Sequence, residues 1–128
     1  MRNSLAGPTE HQEQAVVVRW FDMQYPDITG RLFAVPNGGD RHRAVAGKLK
    51  AEGVRPGVPD LWLPVPRRGF SGLVIEMKRR KGGKPSPEQL DWLAWLAEQG
   101  FMTVICAGAE AAIESIRGYL DGDQQVPA

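Results

Sequence analysis

The 128-residue sequence predicts an α/β domain in which one mixed sheet is flanked by helices. Three observations carry this. Helical and strand-like hydrophobic periods alternate along the chain in the order α-β-α-β-β-α-β-α. Turn signals separate nearly every pair of segments. A full helical segment joins the third and fourth strands, as a crossover between parallel strands requires. The length suits a single domain, 1–128, with its ordered core over about residues 9–120 and loose ends at 1–7 and 122–128.

The first helix starts at Thr9, a residue type that caps helices, with Gln12 placed to close a capping box. Its apolar stripe runs through Val17, Trp20 and Phe21 and stops before Pro26. Carried backwards at helical spacing, that stripe reaches Gln14, Glu13 and Glu10. A strand over 31–35 ends at the turn Pro36-Asn37-Gly38-Gly39. Asp40 then caps a helix reaching about Glu52, with Gly53 in the position that ends it. Gly57-Val58-Pro59 leads into a strand over 60–65, Arg67-Arg68-Gly69 turns the chain, and a second strand runs over 72–78.

After a basic loop, 79–84, Ser86-Pro87-Glu88-Gln89 opens a helix with a cap, a proline at the first helical position and a second capping box. Leu90, Leu93, Leu96 and Ala97 form its expected apolar side, and Gly100 ends it. A short strand over 101–106 follows. A last helix, 109–120, packs through Ala112, Ile113, Ile116 and Leu120.

Composition narrows the function. Hydrophobic residues are 42% and charged residues 24%, the balance of a globular protein. No apolar run is long enough to span a bilayer, and the polar start lacks a signal-peptide core, so no membrane role is expected. The single cysteine, Cys106, reads as a buried strand residue. With only two histidines and no Cys-x-x-Cys pair, a structural zinc site is not expected, and the setting reads as reducing and cytoplasmic. The net charge of +1 conceals a division. Residues 31–84 hold 13 Lys/Arg against four acids, a net of +9, while the remainder holds three against 11, a net of −8. A basic middle suits a polyanionic partner met by one face, although a solvated basic surface has the same composition.

The chemistry concentrates in the hairpin from Asp60 to Lys78. Strand side chains alternate, so Leu73, Ile75 and Met77 share one face while Val74, Glu76 and Lys78 share the other. With the turn centred near Arg68, Asp60 and Glu76 each lie eight residues from it and should stand opposite one another. Two carboxylates and a lysine then converge at the end of an apolar strand. Such carboxylates are hard oxygen ligands for Mg²⁺, which binds phosphate through its remaining positions and activates water. A neighbouring lysine can orient that water and offset developing charge. The backbone carbonyl of Met77 is a further candidate ligand. Glu-x-Lys alone is equally the pattern of a solvated hairpin, so it is the combination with Asp60, in register and with apolar flanks, that points to phosphodiester hydrolysis.

Gly57-Val58-Pro59-Asp60-Leu61, Ile75-Glu76-Met77-Lys78 and Ser86-Pro87-Glu88-Gln89 resemble the motifs of the VRR-NUC family, the virus-type replication-repair nucleases. Pro36-Asn37-Gly38-Gly39, the segment 49–54 and the strand entry at Gly100-Phe101 are similar as well, so the resemblance covers about residues 9–120 in order. It implies the restriction-endonuclease-like PD-(D/E)xK fold, an α-β-β-β-α-β core with one helix inserted here after the first strand and another added at the end. It also implies that Asp60 and Glu76 bind metal and that Lys78 assists the nucleophile. A helix-one glutamate joins them: Glu10, four residues before Gln14, matches best, with Glu13 as the alternative, though an acidic first turn also suits the helix dipole. Gln89 matches an active-site glutamine, while closing the capping box on Ser86 would explain it equally.

The resemblance further implies Mg²⁺ as cofactor, with Mn²⁺ able to substitute and no small-molecule cofactor. The implied substrate is DNA, branched in the sense of a four-way junction, cut by a homodimer lacking any separate targeting domain and acting in a phage or prophage setting. Arg41, Arg43, Arg79, Arg80, Lys81 and Lys84 are the candidate phosphate contacts. Asn37, Gly38 and Gly39 could admit a phosphate to the backbone or form a plain turn, and nothing places His42 near the carboxylates. Val16, Val18 and Trp20 are candidates for the dimer contact. An exonuclease or flap nuclease on the same fold, and a non-catalytic DNA-binding module, are the rival readings.

Overall fold

The computed structural model describes residues 7–36 and 43–122. Residues 1–6 and 123–128 of the expected loose ends, the turn at Asn37-Gly38-Gly39, the Asp40 cap, Arg41 and His42 lie outside the described residues, as does the side chain of Arg43. In chain order the elements are α1 (Glu10–Gln24), a 3₁₀ turn (Pro26–Ile28), β1 (Phe33–Ala34), α2 (Arg43–Ala51), β2 (Leu61–Leu63), β3 (Leu73–Lys78), α3 (Pro87–Glu98), β4 (Met102–Ala107) and α4 (Ala109–Asp121). The sheet has the order β1-β2-β3-β4. The first two pairings are antiparallel, and β3 and β4 run parallel with α3 between them. Among the described residues no helix is long and apolar enough to cross a membrane.

The alternation of β3 sorts the core into two layers. Leu73, Ile75 and Met77 pack with Val17 and Phe21 of α1 and with Ala112, Ile116, Tyr119 and Leu120 of α4. Val74, on the other face, packs with Leu93 and Leu96 of α3, flanked by Trp62, Trp92 and Phe101. Fully burying side chains such as Val17, Phe21 and Ile75 contributes about 1.5–3 kcal/mol each. The α3 layer is thin, so only Leu93 and Leu96 are buried on that helix, while Leu90 and Ala97 face outward. Conversely, Tyr119 joins the α4 stripe because its hydroxyl donates to the Val65 carbonyl at 2.6 Å, which satisfies the polar end of an otherwise buried ring.

Two strands are shorter than the residue pattern predicts. β2 stops at Leu63 rather than 65 because Pro64 and Pro66 lack the N–H that a ladder needs. Val65 instead donates back to Leu63 at 2.9 Å, which bends the chain. β1 keeps two residues of the expected five, although Val35 still donates to the Asp60 carbonyl at 2.9 Å.

The hairpin register pairs Leu61 with Ile75 and Leu63 with Leu73, which sets Asp60 across from Glu76. The turn itself is Arg68-Gly69, both with positive φ (50° and 86°), as the primed two-residue hairpin turns require. Arg67 pairs with Phe70 across it, so one extra residue sits in the Pro64–Pro66 segment and shifts the ladder back into the register of the strands. Arg68 Nη2 donates to the Gly118 carbonyl at 2.6 Å, anchoring the turn to α4.

Candidate active site

The site forms where the end of β3 meets the entry to β2 and the start of α3. Pro59 is buried, and its carbonyl accepts from Trp62 Nε1 at 3.0 Å, which ties down the corner immediately before Asp60. Upstream, Gly57 has φ +86° and lies against the first turn of α3: a Cβ there would stand 2.6 Å from the Glu88 backbone carbon. Only glycine permits that approach, and the contact fixes the loop carrying Asp60 against the helix carrying Gln89. Asp60 Oδ2 accepts the Met77 N–H at 2.7 Å, so the carboxylate is locked beside β3.

Glu76 is 1% exposed. Its Oε2 accepts from Gln89 Nε2 at 2.8 Å and lies 3.7 Å from Lys78 Nζ, while its Oε1 is buried with no hydrogen-bond partner. Burial pushes its pKa up to about 8, helped by the close carboxyl of Asp60 and the more distant charge of Glu10; Lys78 opposes the shift. Gln89 meets both descriptions that its sequence context suggests. Its Oε1 accepts from the Ser86 N–H at 2.8 Å and its N–H donates to Ser86 Oγ at 3.1 Å, closing the capping box. Holding Oε1 in that way leaves Nε2 directed at Glu76.

The two helix-one glutamates separate. Glu10, half-buried, acts on Glu76 electrostatically. Glu13 is 3% exposed and committed elsewhere: Arg80 Nε donates to its Oε2 at 2.8 Å, and the Ala109 N–H donates to its Oε1 at 3.0 Å. Arg80 holds the Glu13 carboxyl below the usual range, against the upward push of burial, with the Ala109 amide adding to the effect. Glu13 therefore does not join the carboxylates at Glu76. Arg80 is correspondingly an ion-pair partner, which removes it from the free cations of the loop. The sequence carried a sign of this burial, because Glu13, Val17 and Phe21 recur at four-residue spacing on one helical stripe.

Arg79, Lys81 and Lys84 are exposed beside Lys78. Gly83 lets their loop fold back, since a Cβ there would lie 3.1 Å from the Lys78 Cβ. The tryptophans are used mainly in packing. Trp62 stands edge-on to Phe101, Trp92 edge-on to Trp95, and Trp95 remains half exposed. Cys106 is buried, and burial pushes its thiol pKa up, which suits a packing residue.

Among the described residues no three His, Cys, Asp or Glu side chains lie close enough to hold an ion by themselves. Mg²⁺ does not need three: it commonly binds through one or two carboxylates, keeps waters and takes its remaining ligands from a substrate phosphate. The donor set of Asp60 and Glu76 fits such an ion, and the partnerless Glu76 Oε1 is the acceptor that an ion would satisfy.

The VRR-NUC domain profile matches residues 8–110, four-fifths of the chain. The chain belongs to the VRR-NUC family. A solved structure described as a VRR_NUC domain protein superposes on it with a TM-score of 0.80 at 28% identity, covering 94% of this chain and 98% of that one. No curated protein matches the sequence. Membership makes this a nuclease domain of the PD-(D/E)xK type, with DNA as its implied substrate. The mixed four-stranded sheet with helices on both faces is the architecture of this VRR-NUC domain.

Proposed function

We propose that this VRR-NUC domain is a Mg²⁺-dependent endonuclease that hydrolyses phosphodiester bonds in branched DNA, resolving four-way junctions as a homodimer, with Mn²⁺ able to replace Mg²⁺. The observation that carries the reading is the buried Glu76, held above its ordinary pKa beside Asp60 with one oxygen lacking a partner. A carboxylate left in that condition stabilises nothing by itself, and binding DNA would not require it. It becomes favourable once a cation arrives.

In this reading Asp60 and Glu76 hold the ion, with Glu10 adding negative charge nearby and the Met77 carbonyl a further candidate ligand. The ion, when bound, supplies Lewis acidity toward the phosphoryl oxygen and makes hydroxide accessible near neutral pH. Gln89 keeps Glu76 in one orientation, so the ligand is preorganised. Lys78, 12% exposed and close to Glu76, can orient the attacking water and offset charge that develops in the transition state. Arg79, Lys81 and Lys84, exposed in the loop after Lys78, hold the DNA backbone in this reading.

Symmetric resolution of a junction needs two cuts, and a two-fold dimer supplies paired sites from one surface patch. Val16 (45% exposed) and Met23 (76%) on α1 support such a contact, whereas Val18 and Trp20 pack toward the core. The test is cleavage of linear, flap and four-way-junction DNA with Mg²⁺, with Mn²⁺ and in EDTA, for the wild type, Asp60→Asn, Glu76→Gln and Lys78→Ala, with light scattering in parallel. The expected result is metal-dependent junction cutting by a dimer, with each variant slower by orders of magnitude and still able to bind. Full activity in EDTA would remove the mechanism. A monomer that cuts linear and branched DNA equally would reduce it to a general nuclease.

A further inference from the structure

A second group of charged side chains lies outside the carboxylate site, and it joins three chain segments. Glu13, on the first turns of α1, is almost fully buried, and both of its oxygens are taken. Oε2 accepts from Arg80 Nε at 2.8 Å, while Oε1 accepts from Arg80 Nη2 at 3.4 Å and from the Ala109 amide at 3.0 Å. Ala109 is the first residue of α4, so Glu13 satisfies an N–H that the helix start leaves without an intrahelical partner. The glycine before it makes room for the arrangement: Gly108 has φ +95°, and a Cβ there would stand 2.9 Å from Arg80 Cγ.

Position along the chain gives this group its significance. Glu13 lies three residues, about one helical turn, after Glu10. Arg80 lies two residues after Lys78, where β3 ends. The ion pair therefore ties together the two segments that deliver Glu10 and Lys78, and the Ala109 contact braces both against α4.

We propose that Glu13 and Arg80 are a positioning pair for the active site, locking the first turn of α1 to the end of β3, and that neither binds metal or DNA directly. A cation at Glu13 would have to displace a forked guanidinium from both oxygens. A phosphate competing for Arg80 would leave a buried carboxylate with one amide for compensation. The effect on catalysis rests on the metal site proposed above; the mechanical coupling of α1 to β3 does not.

The experiment uses the full chain as wild type, Glu13→Gln, Arg80→Gln, the double variant and Arg80→Lys. Four readouts are taken: cleavage against Mg²⁺ concentration, thermal stability with and without Mg²⁺, DNA affinity in EDTA over a range of salt, and amide hydrogen exchange. Glu13→Gln and Arg80→Gln should each reduce turnover or raise the Mg²⁺ requirement by roughly tenfold to a hundredfold, as loss of a ligand-orienting partner does. The double variant should be no worse than the worse single one, and Arg80→Lys, which can still reach one oxygen, should recover part of the loss. DNA affinity and its salt slope should stay at wild-type values, and exchange should rise in both the first turn of α1 and residues 78–84 for either single substitution.

Weaker, less salt-dependent DNA binding by Arg80→Gln, with tighter binding by Glu13→Gln, would make Arg80 a phosphate contact and overturn the proposal. So would loss of Mg²⁺-induced thermal stabilisation in Glu13→Gln alone, which would make Glu13 a ligand. If the wild type itself shows no metal-dependent cleavage, the nuclease mechanism fails, and exchange decides the pairing separately. Unchanged protection of α1 in Arg80→Gln, a substitution at a largely exposed side chain, refutes it.

Discussion

Replacing Glu76 with glutamine should destroy cleavage and at the same time stabilise the metal-free protein. Glu76 is a buried carboxyl whose pKa lies above its ordinary value of 4.5, at about 8, chiefly through desolvation and the charge of Asp60. The folded protein therefore keeps a proton that the unfolded chain has released, and wild-type stability falls as pH rises through that interval. Below the ordinary value both states are protonated and the penalty is absent; above about 8 it is fully developed. Glu76→Gln cannot titrate. Its amide oxygen can accept from Gln89 Nε2, and its NH₂ replaces the partnerless Oε1 beside Asp60, where it can donate to that carboxylate.

The magnitude follows from the acceptor that the wild type leaves bare. A buried polar atom without a partner costs about 1–3 kcal/mol, and the variant has no such oxygen to leave unpaired. For a domain of this size that is a rise in Tm of about 3–15 °C, at roughly 3–5 °C per kcal/mol. The assay is thermal and urea denaturation of both proteins in EDTA from pH 5 to 8.5. Taking the difference between them cancels the other titrating groups. The difference should be small at pH 5 and grow with pH in favour of Glu76→Gln. Saturating Mg²⁺ should then stabilise the wild type and not the variant, because binding to the native state alone shifts its stability. A difference that is flat with pH, or a wild type that is the more stable protein at pH 8 in EDTA, would refute the reasoning.

Gly57→Ala should destabilise the domain by at least about 1–3 kcal/mol, because it combines a left-handed backbone with a contact on the Glu88 main chain that cannot yield. Urea midpoints measure this, and turnover should fall with them because the same contact sets Asp60 against Gln89. Neutralising Arg79, Lys81 and Lys84 together should weaken binding to all DNA alike and flatten its salt dependence by about one unit per lost phosphate contact, read by fluorescence anisotropy across a salt series. Unchanged salt dependence would place the DNA on another face.

Much of this protein is determined by local sequence. Two capping boxes, at Thr9 and Ser86, start α1 and α3, because the groups that satisfy a helix end lie three residues apart on the same chain. The alternation of β3 allotted Leu73, Ile75 and Met77 to one layer and Val74 and Glu76 to the other, since a strand has a period of two whatever surrounds it. Counting from the turn also gave the register that sets Asp60 across from Glu76, although an extra residue at Pro64–Pro66 had to compensate for a turn centred half a residue later.

Tertiary packing decided the rest. Leu90 and Ala97 satisfy the helical pattern and yet face outward, because the α3 layer is only a few side chains deep. Glu10 and Glu13 have like chemistry on one helical stripe. What separates them is that Arg80, 67 residues beyond Glu13, and Ala109, 96 residues beyond it, converge on Glu13 alone. Gln89 could be read as a cap or as an active-site group, and only the fold brings Glu76 within 2.8 Å of the amide that the cap leaves free. Periodicity and capping depend on neighbours in sequence, so the residues disclose them. The commitment of a charged side chain depends on which distant partner satisfies it once water is excluded, and that is settled when the chain is folded.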